Sequence, residues 1–207
     1  MASPAEAPAD TAAPPTRPRR RRRWLRRLVL LVVVLMLGSG LVTAATARLF
    51  VWPARGVPQH ADAIVLFGGR GFRLSKALQL AYSGYAPELV ISRGTPGPDV
   101  DGVPGDQTER PCAPPIPNVR VTCFDPDPVT TRGEARFIGR MAKERHWRSV
   151  IVVSTRPQAT RARLRTSRCF SGQISVATSD LMRADWPHEV VYEWGALLKA
   201  LALQRSC

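Results

Sequence analysis

Short polar clusters that follow apolar runs hold the residue types able to do chemistry. They are Gly68-Gly69-Arg70, Ser92-Arg93-Gly94 and Ser154-Thr155-Arg156, with Asp125 closing a fourth run and Thr130-Thr131 opening a helical pattern. Glycines let backbone N–H groups approach a ligand, hydroxyls hydrogen-bond it, and guanidinium forks fit phosphate or carboxylate. A threonine pair at a helix start adds orphan N–H groups and the positive end of the helix dipole. The set describes an anion-binding cleft. Arg73, Arg93, Arg156 and Arg161 are its candidate cationic contacts, although solvated surface arginine is the competing reading in a chain with 27 Arg. Asp125 is the candidate acid/base; in Asp-Pro-Asp-Pro it also reads as a turn residue.

Other chemistries lack their spacing. None of the four cysteines forms a C-x-x-C pair, and no histidine has a supporting metal-ligand spacing, so no metal is expected. His60 lies in a linker, His146 at a helix end beside Trp147, and His188 at the start of the last helix, where it could line a site. Gly69-Arg70-Gly71-Phe72-Arg73-Leu74 is G-x-G-x-x-L without the third glycine, and Ser92-Arg93-Gly94 stands where an acidic residue would hold a ribose. Neither a phosphate-binding G-x-x-x-x-G-K-[ST] loop nor a G-x-S-x-G nucleophile elbow occurs. No cofactor is therefore expected.

The elements that must position these residues are legible from period. Residues 61–67 (ADAIVLF), 88–92 (ELVIS), 119–124, 149–154 (SVIVVS) and 174–177 are compact apolar runs, five candidate strands. The run 149–154 is the most apolar and is expected to be central. Leu74, Ala77, Leu78 and Ala81 mark one helix, Phe137, Ile138, Met141 and Ala142 a second, and 157–168 a third. Val190, Val191, Trp194, Leu197, Leu198 and Leu201 mark the last. Residues 95–118 are rich in Pro and Gly and read as a long loop. Strands alternating with helices imply an α/β domain with a mostly parallel sheet covered on both faces. In such sheets ligands bind beyond the carboxyl ends of the strands.

Charge explains the front of the chain. The 207 residues carry a formal net charge of +14. Residues 1–27 hold eight Arg against Glu6 and Asp10 and have few large apolar groups, an expected disordered, cytoplasmic tail. Residues 28–47 then run without a charge. As a helix they would be about 30 Å long, the thickness of a bilayer's hydrocarbon core. An Arg cluster beside such a run reads as a topology signal rather than a nucleic-acid site, and it keeps the tail cytoplasmic. The expected organisation is a tail (1–27), a transmembrane helix (28–50), a linker (51–60) and an extracytoplasmic domain (61–207). A cleaved signal peptide is the other reading, because Ala45-Thr46-Ala47 fits an A-x-A site; either way the domain is exported.

The cysteines fit export. Cys112, Cys123, Cys169 and Cys207 allow three pairings. Cys112–Cys123 would close a Pro-rich loop, which leaves Cys169–Cys207 to tie the C-terminal segment to the body. Closing a loop of about a dozen residues contributes roughly 3 kcal/mol.

The order of these motifs resembles the YdcF-like family, which includes the SanA- and ElyC-type envelope proteins. DAIVLFGG is similar to that family's first strand and Gly-Gly turn. Arg73 with LSKALQLAYSGYAPELVISRG resembles the following helix, strand and Ser-Gly turn. Asp125-Pro126-Asp127-Pro128-Val129-Thr130-Thr131 with Glu134 resembles its acidic residue, Thr and helix start, and VVSTRPQATRARL its Ser/Thr turn and Arg-Ala segment at Arg161-Ala162. Gln158 stands where many members have His, and glutamine is no general base. The resemblance implies a Rossmann-like three-layer sandwich of about five strands and a role in envelope upkeep. The expected ligand set is Gly68, Gly69, Arg73, Ser92, Arg93, Gly94, Thr130, Thr131, Ser154, Thr155, Gln158 and Arg161. The expected partners are the membrane and an anionic small molecule or lipid-linked precursor. Turnover with Asp125 as acid/base and binding without turnover both remain open.

Overall fold

The computed structural model describes residues 19–54, 60–69, 71–93 and 115–207, which fall into two compact units, Met1–Ala44 and Ala45–Cys207. The first holds most of helix α1 (Arg19–Thr46). From Arg22 to Val51 the chain is helical, long and apolar enough to cross a membrane, and none of its apolar window is buried in protein. Leu30, Leu35 and Leu41 lie open on it. A helix that is apolar all round and unburied is the pattern of a membrane span.

In the second unit, β1 (Ala63–Leu66), β2 (Glu88–Ser92), β3 (Arg120–Phe124), β4 (Ser149–Thr155) and β5 (Gln173–Ser179) form one all-parallel sheet in the order β3-β2-β1-β4-β5. The middle place thus belongs to β1, and β4 lies beside it, flanked by β1 and β5. The helices are α2 (Arg73–Tyr82), α3 (Thr131–Glu144), α4 (Arg156–Cys169) and α5 (Trp186–Ala202). A π-helical turn, Ala47–Val51, joins α1 to the unit.

Period-two alternation sorts the core. Ala63, Val65, Val150 and Val152 face Ile138, Met141 and Ala142 of α3 and Ala162 of α4. Ile64, Leu66, Ile151 and Val153 face Ala77, Leu80 and Ala81 of α2. The register Ala63↔Val150 to Leu66↔Val153 keeps each set on its own side. Asp62 fixes that register at the amino end, accepting from the N–H groups of Arg148 (2.6 Å) and Ser149 (2.8 Å) and from the Ser149 hydroxyl (3.1 Å). Burial opposes its charge, but these bonds outweigh it and hold the carboxyl below its ordinary value.

Cys169, the last residue of α4, is bridged to Cys207 with their Cα atoms 4.9 Å apart. Arg132 and Arg136 donate to the Cys207 carbonyl, and Arg165 and Arg168 to that of Gln204. The C-terminal segment is thus strapped to α3 and α4. Cys123 is also disulfide-bonded; its expected partner, Cys112, and most of the expected loop 95–118 lie outside the described residues.

Candidate active site

Two turns and two helix starts meet at the carboxyl end of the sheet. β1 runs into Gly68-Gly69, and β4 ends where α4 begins. Between them Thr130 caps α3, its hydroxyl accepting from the Gly133 N–H at 3.3 Å. Gly133 has no alternative, because a Cβ there would lie 1.9 Å from the Pro128 carbonyl oxygen. Gly69 is similar: φ is +124°, and a Cβ would press on the Arg73 guanidinium at 2.7 Å. These elements enclose a cleft of about 420 Å³, the size of a small-molecule site.

Its floor is a buried polar network. Arg73 Nη1 donates to the carbonyls of Phe67 and Gly68 and to Gln158 Oε1 at 2.6 Å. Gln158 Oε1 also accepts from the Ser154 hydroxyl at 2.7 Å, and its Nε2 donates to Thr131 Oγ1 at 3.1 Å. Thr131 Oγ1 accepts again from Arg161 Nη1 at 2.6 Å. Arg161 grips Glu193 with both remaining edges, Nε to Oε2 at 2.7 Å and Nη2 to Oε1 at 2.6 Å. Burial opposes the Arg161 charge, yet the bonds and charge of Glu193 hold it above its ordinary value. Removing one partner of so buried a pair costs about 3–5 kcal/mol.

Glu134 closes the floor. Its Oε1 accepts from the Gly68 N–H at 2.6 Å and the carboxyl takes a further bond from Ser92. Only 3% of the residue is exposed. Burial pushes it up to about 7, against the pull of those bonds and of Arg73 and Arg161. Burial pulls Arg73 down to about 10, with Glu134, Glu189 and Glu193 holding it charged at neutral pH.

The lining is cationic in balance: Arg73, Arg132, Arg161, Arg165 and Lys199 against Glu134, Glu189 and Glu193. Arg165 registers the excess, being lowered by burial and then by the charges of Arg168, Arg132 and Arg161. Among the described residues the Lys199 ammonium has no hydrogen-bond or ion-pair partner. No group of three or more potential metal ligands occurs among the described residues. The chain matches no family model, curated protein or solved structure.

Of the residues expected from sequence, the cleft brings together Gly68, Gly69, Arg73, Thr130, Thr131, Gln158 and Arg161. Ser92 and Ser154 lie one layer back, bonded to Glu134 and Gln158. Thr155 is buried beneath Gly71 and does not line the cleft. Asp125 is elsewhere: its side chain is 71% exposed and paired with Arg93 at 2.8 Å, and neither lines the cleft. Arg156 pairs with Asp180 at 3.0 Å outside it. Gly94 and Arg70 lie outside the described residues.

Two carboxyls of the cleft are absent from the set expected from sequence, Glu134 being named there only at the family-like helix start. Glu134 sits in the first turn of α3, where an acid normally faces water and favours the dipole. Glu193 had a signal: it is a lone charge within the apolar stripe Val190, Trp194 and Leu197 of α5, and it is 1% exposed.

Proposed function

We propose that this chain is a membrane-anchored, extracytoplasmic YdcF-like domain whose cleft binds an anionic or phosphorylated cell-envelope metabolite. The observation that carries the reading is the cleft's excess of cations over carboxylates at the carboxyl end of a parallel sheet. An anion entering there relieves repulsion among guanidinium groups and meets the first turn of α3. The ordered motifs from DAIVLFGG to VVSTRPQATRARL support the family. The Arg-rich flank of the apolar helix supports a cytoplasmic N-terminus, and the Cys169–Cys207 bridge supports an oxidising compartment.

If the cleft turns its ligand over, Glu134 is the group that carries the proton. It is buried in the floor and titrates near neutrality, whereas Asp125 stands outside in an ion pair with Arg93. Binding without turnover is favoured by a different observation. Gln158, at the centre of the floor, already spends its carbonyl oxygen on Arg73 and Ser154 and an amide donor on Thr131.

Calorimetric titration of inorganic phosphate and pyrophosphate into the full chain in detergent micelles tests the reading. Lys199→Ala should weaken binding about tenfold, the equivalent of about 1.4 kcal/mol, while Arg93→Ala leaves it unchanged. Absent binding, or equal losses in both variants, contradicts it.

A further inference from the structure

Helix α5 presents three faces. Glu193, Leu197 and Ala200 are buried against the body. Tyr192, Ala196 and Lys199 line the cleft. The third face carries Val191, Gly195, Leu198 and Ala202, one stripe at i, i+4, i+7 and i+11. Val191 is 73% exposed, Leu198 56% and the flanking Leu201 46%. A Cβ at Gly195 would meet nothing within 4 Å. The stripe is apolar and uncharged, and nothing among the described residues covers it.

Its place in the chain says what does. Trp194, beside the stripe, packs edge-on against the buried Phe50 at 5.3 Å and donates from Nε1 to Thr46 Oγ1 at 3.0 Å. Thr160 of α4 donates to the Leu49 carbonyl. Thr46, Leu49 and Phe50 belong both to the apolar helical stretch Arg22–Val51 and to the same compact unit as α5. The last turn of that apolar stretch is therefore bonded directly to α4 and α5. Trp52, 63% exposed, follows at once, an aromatic of the kind that sits at headgroup depth.

We propose that the Val191, Leu198 and Leu201 face of α5 rests in the lipid interface beside the exit of the span. An apolar helix face laid on the headgroup boundary gains in proportion to the area it buries. The adjacent face of the same helix is a wall of the cleft, so the cleft opens at the level of the lipid headgroups. This placement rests on the reading of Arg22–Val51 as a span and is independent of what the cleft binds.

Single cysteines at Val191 and Leu198 test it, with Gln79→Cys on α2, across the sheet from α4, as the control. No described native cysteine is free, so a bimane probe labels the new thiol without reductant. The full chain is reconstituted in nanodiscs of phosphatidylcholine and phosphatidylglycerol, with or without doxyl-labelled lipid. Doxyl lipid should quench the probes at Val191 and Leu198 at least twofold and leave the control unchanged. Unquenched probes at both positions overturn the placement, whether they stand in water or are shielded by a second copy. Phosphate titration of the same nanodiscs reads the cleft separately. Quenching without phosphate binding keeps α5 on the lipid and removes the anion reading; binding without quenching does the reverse.

Discussion

Glu134 is a carboxyl held where its charge is disfavoured, and that has a thermodynamic signature. Its folded value of about 7 lies above the ordinary 4.5, so the folded state prefers the proton more than the unfolded state does. Below pH 4.5 both states are protonated and the group contributes no difference. As pH rises from there to 7, the unfolded chain ionises first and stability falls; above 7 the penalty is constant, about 3 kcal/mol. Glu134→Gln keeps an oxygen for the Gly68 N–H and removes the titration. Urea unfolding at pH 5 and pH 8 should show the variant gaining on the parent by about 3 kcal/mol at the higher pH. Equal pH slopes in the two proteins would contradict the assignment. The group was not legible because an acid in a helix's first turn ordinarily belongs to solvent, and only the β1 turn packed above it reverses that. Asp125 shows the converse. A strand-terminal acid in Asp125-Pro126-Asp127-Pro128 reads equally as a site residue or a turn residue, and the structure places it outside the cleft, paired with Arg93.

Elements were more legible than contacts, because apolar periodicity is a local property and the burial of charge is not. The five apolar runs became five parallel strands, and the helical stripes became α2 to α5. Strand order is different in kind: β1 and β4 are both buried on both faces, so hydrophobicity cannot rank them. The passage of α3 from edge strand β3 across to β4 decides it. The start of α3 is the element on which the site most depends. Gly133→Ala places a methyl into the Pro128 carbonyl and must displace either that turn or the helix. The expected loss is about 2 kcal/mol or more in chemical unfolding, with phosphate affinity lost in the fraction that still folds. A variant with parental stability and affinity would show that the 127–133 turn does not position the site.

At the scale of the whole molecule, charge and redox state make one account. In the proposed topology the Arg-rich segment before the apolar helix keeps the N-terminus cytoplasmic, and the bridges belong to the far side. Intact mass of protein taken from membranes without reductant should rise on reduction by about 2 Da for each bridge, Cys169–Cys207 among them. An unchanged mass would place the domain in a reducing compartment. The cleft's own charge gives the most direct test of the central claim, that it is an anion site. With Glu134 protonated, five cations face two carboxylates; ionisation adds a third carboxylate beside the bound anion. Sulfate does not titrate in this range, so its affinity reports the protein alone. Sulfate affinity of the full chain, measured from pH 5.5 to 8.5 beside Glu134→Gln, should fall through about pH 7 in the parent and hold its low-pH value through that step in the variant. The comparison subtracts every other titrating group. No sulfate binding at any pH, or the same profile in both proteins, would contradict the account.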